Sequence, residues 1–349
     1  YDESVLALDT EFHRESTYYP EFCLLQIASS AQISLVDVLN ITRLTSLWDL
    51  ISRASVTTVF HSAFQDLEII YRNANVLPAT VFDTQLAAAM LGWGEQLGYT
   101  KLIERLFGAT TSKDLARTNW RQRPLTPDQT KYAADDVRYL AEIYLLQVEA
   151  LREQGKESWL REETIKRYHV NQFIVKPEDA WKSVTGRRYL KPEHLPILAA
   201  AAAWRENVAQ KRNLPRRWII EDRALLVLAR NAPDTLVGVS KLGLFKPRLL
   251  EDFGEDLIRA IVFARDQPRP EEWSQPNVPA LTGSQKNRFA SLSAQIRELA
   301  VQLQIAPTLL STRAELERVA RGEANVFESN DWRRQVLLPI LRQHDIEVS

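Results

Sequence analysis

Strand-like alternation is confined to the first quarter of this 349-residue chain, and that restriction narrows the possible folds more than any other feature. The runs "VLALDTEF", "CLLQIAS", "ISLVDV" and "VTTVFHS" are interleaved with helical "LTSLWDLISRA" and "FQDLEIIYRNA". That order predicts an α/β domain built on a mixed sheet. From Thr84 the pattern turns helical, with "TQLAAAML" and then "TKLIERLFG", the latter closed by Gly108 as a C-cap. A polar and basic loop, "TTSKDLARTNWRQRPL", leads into "TPDQ". There Thr126 can cap a helix, Pro127 fits its first position and Gln129 completes a capping box.

Beyond Gly155 only amphipathic helices separated by turn signals remain, so the second part is expected to be all-α. Helical runs around Leu195 to Lys211, Asp222 to Asn231, Leu236 to Leu244 and Leu257 to Arg265 make one unit. The segment "DQPRPEEWSQPNVP" has four prolines in 14 residues, cannot continue a helix and reads as a linker. After it, Phe289, Leu292, Ile296, Leu299 and Leu303 recur at spacings of three and four and mark a second helical unit. The expected domains are therefore 1–175, 176–268 and 269–349.

Composition excludes several function classes. No stretch approaches the roughly 18 apolar residues that a membrane helix needs, and the start lacks a signal-peptide pattern; a cytoplasmic, membrane-free protein is expected. The single cysteine, Cys23, lies in the apolar run "FCLLQIA" and is expected to be a core residue without redox chemistry. Tyr1 is not a methionine and a strand begins almost at once, so further residues are expected before it. The net charge of −1 conceals an asymmetry: residues 1–175 hold 17 basic and 23 acidic side chains, the remainder 27 and 22. Between Lys182 and Arg230 there are 11 basic and 4 acidic residues, including "KRNLPRRW". Such a density suits either a phosphate-binding face or an ordinary solvated helix surface.

Three acidic motifs stand out in the first domain. In "LALDTEF" the period of two sends Val5, Ala7, Asp9 and Glu11 to one face, so the two acids are neighbours. Alone, such a pair could simply be a strand end emerging into water. In "VFHSAFQDLEII" a strand breaks at His61 and a helix starts near Phe64, which puts Asp66 in a first turn, where negative charge is favoured and where α/β sheets place their sites. In "YAADDVRYL", continuing one helix at about 100° per residue, Val137, Leu140, Ala141, Tyr144 and Val148 form the buried stripe. Tyr132 and Asp136 then share its margin, while Asp135 faces water.

"DTEF", "HSAFQDLE" and "YAADD", with a tyrosine four residues before the last aspartate, resemble the three exonuclease motifs of the DEDD superfamily in its DEDDy branch. "FDTQLAA" and "WRQRPL" are similar to the bacterial ribonuclease D family. "AAWRENVAQKRNLPRRWIIEDRALLVLARNAPDTLVGV" resembles an HRDC domain, and the C-terminal helices look like a second, more divergent copy. The resemblance implies an α/β, ribonuclease H-like exonuclease domain followed by two all-α HRDC-like domains. It also implies a metal-dependent 3′→5′ exoribonuclease that releases nucleoside 5′-monophosphates and acts as a monomer on structured RNA with a single-stranded 3′ end, such as tRNA precursors.

Converging carboxylates raise one another's pKa values unless cations neutralise them, and hard oxygen ligands suit magnesium or manganese. Two such ions about 3.5 to 4 Å apart activate water and stabilise a leaving 3′ oxygen. By the resemblance, Asp9, Glu11 and Asp136 hold the nucleophile-side ion, Asp9 bridges to the second, Asp66 supports that second ion, and Tyr132 orients the attacking water or the scissile phosphate. Neither acids nor tyrosine distinguish ribose from deoxyribose, so a 3′→5′ DNA exonuclease is the enzymatic alternative. An inactive RNA- or protein-binding module is the other, against which the complete acid set argues. No P-loop is present to suggest a helicase.

Weaker candidates for touching nucleic acid are Phe12, His61, Arg123, Lys211, Arg212, Arg216 and Arg217. Each has a plainer alternative. His61 can be a hydrogen-bonded structural histidine, Phe12 has core parity, Trp120, Arg121 and Arg123 can fasten their loop, and the basic side chains of the second part can be solvated. Glu68 and Asp135 are expected to be surface charges.

Overall fold

The computed structural model describes residues 4–41, 43–111, 115–267, 280–323, 326–327, 331–344 and 346. Most of the proline-rich linker, and part of the polar loop before Thr126, lie outside them. Five strands, β1 (Val5–His13), β2 (Glu21–Ala28), β3 (Ile33–Val36), β4 (Thr57–Phe60) and β5 (Thr80–Asp83), form one sheet in the order β3-β2-β1-β4-β5. Parallel pairing of β1 with β4 and of β4 with β5, against antiparallel β2 and β3, makes the sheet mixed.

Helices α1 (Thr45–Ile51), α2 (Phe64–Ala74), α3 (Thr84–Met90), α4 (Tyr99–Phe107), α5 (Pro127–Arg138), α6 (Leu140–Glu153) and α7 (Glu157–Arg167) complete the α/β part. The central strand β1 shows why they are needed on both faces. Leu6 and Leu8 pack with Ile51, Phe60, Leu67 and Ile70, while Ala7 belongs to the core of Val59, Phe82, Leu86 and Leu140. Asp9 and Glu11 stand beyond the stretch Val5–Ala7 that pairs with β4, where a strand covered on both sides can turn polar. The capping box at Thr126 forms, with Gln129 N donating to Thr126 Oγ1 at 3.1 Å and Thr126 N to Gln129 Oε1 at 3.0 Å.

The helical part contains α8 (Leu195–Arg212), α9 (Arg216–Ile219), α10 (Asp222–Asn231), α11 (Leu236–Lys241), α12 (Pro247–Arg265), α13 (Gly283–Gln302), α14 (Pro307–Leu310), α15 (Arg313–Ala320) and α16 (Trp332–Gln343). Helix α12 starts ten residues before the expected Leu257, with Pro247 in its first turn. Gly254 hides this in the sequence; a Cβ there would lie 2.6 Å from Leu236 Cδ2 of α11, so the glycine serves close packing rather than a break.

By internal contacts the chain forms two compact units instead of three consecutive ones. Residues 1–13, 22–173 and 280–349 make the first, residues 14–21 and 174–279 the second. The C-terminal helices are thus built onto the α/β part. Trp332 stacks on Trp159 at 4.6 Å, its indole donates to Glu163 at 3.2 Å, and Ala306 N donates to Ala89 O at 2.8 Å. The buried Lys156 ammonium bonds Met90 O and Gln304 O at 3.0 and 2.9 Å. Gly92 is required here, since a Cβ would stand 2.7 Å from Gln304 O. A proline-rich boundary shows where a helix must stop; it does not encode what the following helices cover.

In the second unit, α8 packs against the turn Pro177–Ser183, α10 and α12. The loop that leaves β1 is part of this unit: Tyr18 is buried, and its hydroxyl donates to Glu206, which is 0% exposed. Arg216 closes the cluster, donating to Glu206 at 2.5 and 2.8 Å and lying 5.0 Å over the Tyr18 ring.

Candidate active site

At the end of β1, on the face shared with Ala7, Asp9 and Glu11 meet Asp136 of α5. One carboxylate oxygen from each lies within 4.8 Å of the others. Asp66 approaches through a relay, accepting from Thr10 Oγ1 at 2.5 Å. Tyr132 stands one helical turn before Asp136, and its hydroxyl, on the same side, lowers that carboxylate's pKa.

No cation among the described side chains balances these acids, and their protonation shows it. Burial, and then repulsion from Asp9, Asp136 and Asp66, pushes Glu11 up to about 10. Burial raises Asp136 to about 7, even though the Tyr132 hydroxyl lowers it. Asp9 and Asp66 are held well above the ordinary aspartate range, by burial first and by neighbouring carboxylates second. Such a donor set, all hard oxygens without a protein cation, fits magnesium or manganese and would release protons on binding them.

Asp83, which the sequence reading passed over inside "FDTQ", builds the turn that aims Asp66. Its carboxylate accepts from Ser62 N and Ala63 N at 3.0 and 3.1 Å, where Ser62 has a φ of +65°, and from Gln85 N at 2.8 Å as the cap of α3. The Tyr168 hydroxyl donates to it as well. An Asp placed before Thr-Gln at a strand-to-helix junction is a capping signal that could have revealed the helix start; the long-range half of its role could not be read locally.

His61 is engaged structurally. Its Nδ1 lies 2.8 Å from Thr84 Oγ1 and its ring sits 5.4 Å from that of Tyr99. Phe12 packs, partly buried, with the α1–α2 core. Arg123 fastens its loop: the guanidinium clamps Asp37 at 2.7 and 2.8 Å and donates to the Cys23, Trp120 and Gln122 carbonyls. That clamp holds Asp37 down at about 2. Arg216 is likewise spent on Glu206 and Tyr18, whereas Lys211 and Arg217 are exposed and Arg212 pairs with Asp252 at 2.9 Å.

Two expectations are corrected. Asp135 is only 8% exposed, held by Lys131 at 2.8 Å and Arg138 at 2.9 Å, and Glu68 is 9% exposed with Arg72 at 3.2 Å. The helix ends at Arg138 and a new one starts at Leu140, so the buried stripe drawn through both was not a single helix face. Flanking cations then allow Asp135 to be covered.

Residues 1–148 match a family described as 3′-5′ exonuclease, and residues 194–261 match the HRDC domain. The ribonuclease D of Nitrobacter hamburgensis is 34% identical over 95% of this chain and 87% of its own. That of Zymomonas mobilis is 36% identical over 91% and 82%. Among solved structures, Escherichia coli RNase D, described as an exoribonuclease involved in structured RNA processing, superposes with a TM-score of 0.84 at 28% identity, covering 98% of this chain and 92% of that one. The catalytic core of RRP6 from Trypanosoma brucei shares the fold, with a TM-score of 0.54 at 19% identity over 76% of each chain. Likeness of this extent, at more than 30% identity to several relatives and over nearly the whole length, means that the chain belongs to the ribonuclease D family and is a 3′→5′ exoribonuclease.

Proposed function

We propose that the enzyme trims the 3′ ends of structured RNA, such as tRNA precursors, with two divalent cations held by Asp9, Glu11, Asp66 and Asp136. The convergence of Asp9, Glu11 and Asp136 oxygens within 4.8 Å supports this reading most directly. When bound, magnesium or manganese supplies an activated water and stabilisation of the leaving 3′ oxygen. Asp9, Glu11 and Asp136 would hold the nucleophile-side ion, and Asp9 and Asp66, the latter fixed by Thr10, would hold the second. Tyr132 orients the attacking water or the scissile phosphate with its hydroxyl. Each released product is a nucleoside 5′-monophosphate.

Every acid of the cradle comes from one chain, so a monomer suffices. No helix among the described residues is long and apolar enough to cross a membrane, and RNA processing in the cytoplasm fits that. Lys211, Arg212 and Arg217 supply exposed positive charge for an RNA backbone.

The test is incubation of matched RNA and DNA strands with magnesium, manganese or chelator. Stepwise release of mononucleotides from RNA, abolished by chelator, is the expected result. Equal digestion of DNA would move the reading to a general 3′→5′ exonuclease, and binding without digestion to an RNA-binding module.

A further inference from the structure

Two residues before Asp66, in the same first turn of α2, Phe64 keeps 42% of its surface exposed. Phe173 backs it at a ring distance of 5.1 Å, and the rest borders a cavity of about 570 Å³. Gln85, Gln96, Lys166, Arg167 and Gln172 line that cavity too. A second hollow, about 490 Å³, shares Gln96 and reaches Tyr132 and Asp136. All these residues belong to one compact unit.

The chemistry of the Phe64 cavity is that of a single-strand nucleic-acid subsite. A phenyl face offers stacking to any base, and glutamine amides can bond base edges. Lys166 and Arg167 are paired with Asp331 at 2.7 Å and Glu163 at 3.6 Å and keep 39% and 48% of their side chains exposed at the rim. Asp83 and Glu95 line the hollow as well, the first engaged by Ser62 N, Ala63 N and Tyr168 and the second by Thr308, so the phenyl face and the amides are what it offers a strand. The hollow that reaches Asp136 opens beside the carboxylates.

We propose that Phe64 is the stacking platform for a nucleobase of the retained RNA strand, just upstream of the bond that is cut. This rests on the reading of the four carboxylates as the cleavage centre.

Two measurements separate the two claims. In the first, RNA ten-mers carrying one abasic ribose at successive positions from the 3′ end are cleaved by the parent and by Phe64→Ala. On intact RNA, Phe64→Ala should lower kcat/KM about tenfold, within the range seen for loss of one base–aromatic stack. At one abasic position the parent should fall similarly and the substitution should add no further loss. In the second, 2-aminopurine is placed at that position and the RNA is bound to Asp9→Asn protein. Its fluorescence should be quenched, with quenching kept by Phe64→Trp and lost in Phe64→Leu, which preserves apolar contact with Phe173. Cleavage by the parent without Phe64-dependent quenching at any position would overturn the subsite. Quenching in a protein whose parent cannot cleave would uphold the subsite and overturn the cleavage reading.

Discussion

Two carboxylates that each have a tyrosine beside them, Glu206 and Asp136, behave oppositely. In the second unit Glu206 accepts from Tyr18, and Arg216 completes the charge balance; against the pull of burial, those bonds hold Glu206 below its ordinary pKa. In the first unit Asp136 has the Tyr132 hydroxyl beside it, but its charged neighbours in the cradle are more carboxylates, and Asp136 rises to about 7. Burial and a phenol are common to both. A guanidinium is present only in the first case mentioned. Where the protein supplies its own cation the cluster is complete as folded, and where it supplies none the cluster is built for a cation from outside.

The largest expected consequence is in the chemistry. Asp9→Asn should lower cleavage at least about a thousandfold, because it removes a charge from the Asp9, Glu11 and Asp136 cluster while leaving the side-chain volume nearly unchanged. RNA affinity should be retained. Glu206→Gln, made in the self-balanced cluster, should leave turnover on short single-stranded RNA close to the parent value. Turnover near the parent value in Asp9→Asn would remove the distinction between the clusters. Asp136→Asn and Asp135→Asn sharpen it with chemically identical neighbours. The first should be inactive, whereas the second, which loses only the charge facing Lys131 and Arg138, should keep turnover and lose about 1 kcal/mol of stability, readable as a lowered midpoint in urea.

How these features reach the reader of a sequence differs in an instructive way. Asp9 and Glu11 were legible as a pair because a strand's period of two is a local rule, and the Thr126 capping box because all its atoms lie within four residues. Asp66 and Asp136 were legible through the order of three motifs. The breaks in local regularity were not. The helix change at Tyr139 reassigns Asp135 from water to a covered ion pair, and no spacing announces it. Arg123 stayed open between an RNA contact and a fastener of its loop because its partner, Asp37, is 86 residues away. Tyr18 carries no local signal of its role because Glu206 is 188 residues away. The home of α13–α16 was hidden for the same reason: their amphipathic pattern specifies an apolar face, and only the folded chain supplies Met90, Leu160 and Trp159 to receive it.

An intermediate effect is expected from the tyrosines themselves. Tyr132→Phe keeps the ring and the carboxylates but removes one hydroxyl beside the reacting atoms. Turnover should fall by about tenfold to a thousandfold, or roughly 1.4 to 4 kcal/mol of barrier, with little change in RNA affinity. Single-turnover cleavage with saturating manganese, alongside RNA binding in calcium, reads the two separately. Tyr18→Phe removes an equally buried hydroxyl and should cost about 1 kcal/mol of stability, measurable by urea titration, with no loss of turnover on short RNA. An unchanged rate in Tyr132→Phe would make that tyrosine a packing residue like its counterpart.

A further effect should appear in how stability depends on pH, and here the two clusters pull in opposite directions. Glu11 rises from 4.5 to about 10 in the folded, cation-free chain, so between those values the folded state holds a proton that the unfolded state has released. Stability from this group is complete below about 4.5 and drains away as pH rises towards 10. Glu206 is shifted downward, so its contribution is complete above the ordinary glutamate pKa and drains as pH falls below it. Chelated protein should therefore show an alkaline limb that Glu11→Gln flattens and an acid limb that Glu206→Gln flattens. Saturating magnesium or manganese should flatten the alkaline limb alone, because a bound cation takes the place of the proton. Calorimetry at a series of pH values, with and without cation, measures both limbs in one protein. Parallel profiles for the chelated and cation-loaded chain between about pH 5 and 9 would mean that the carboxylates at the end of β1 do not exchange protons for metal, and the contrast with the Glu206 cluster would fall.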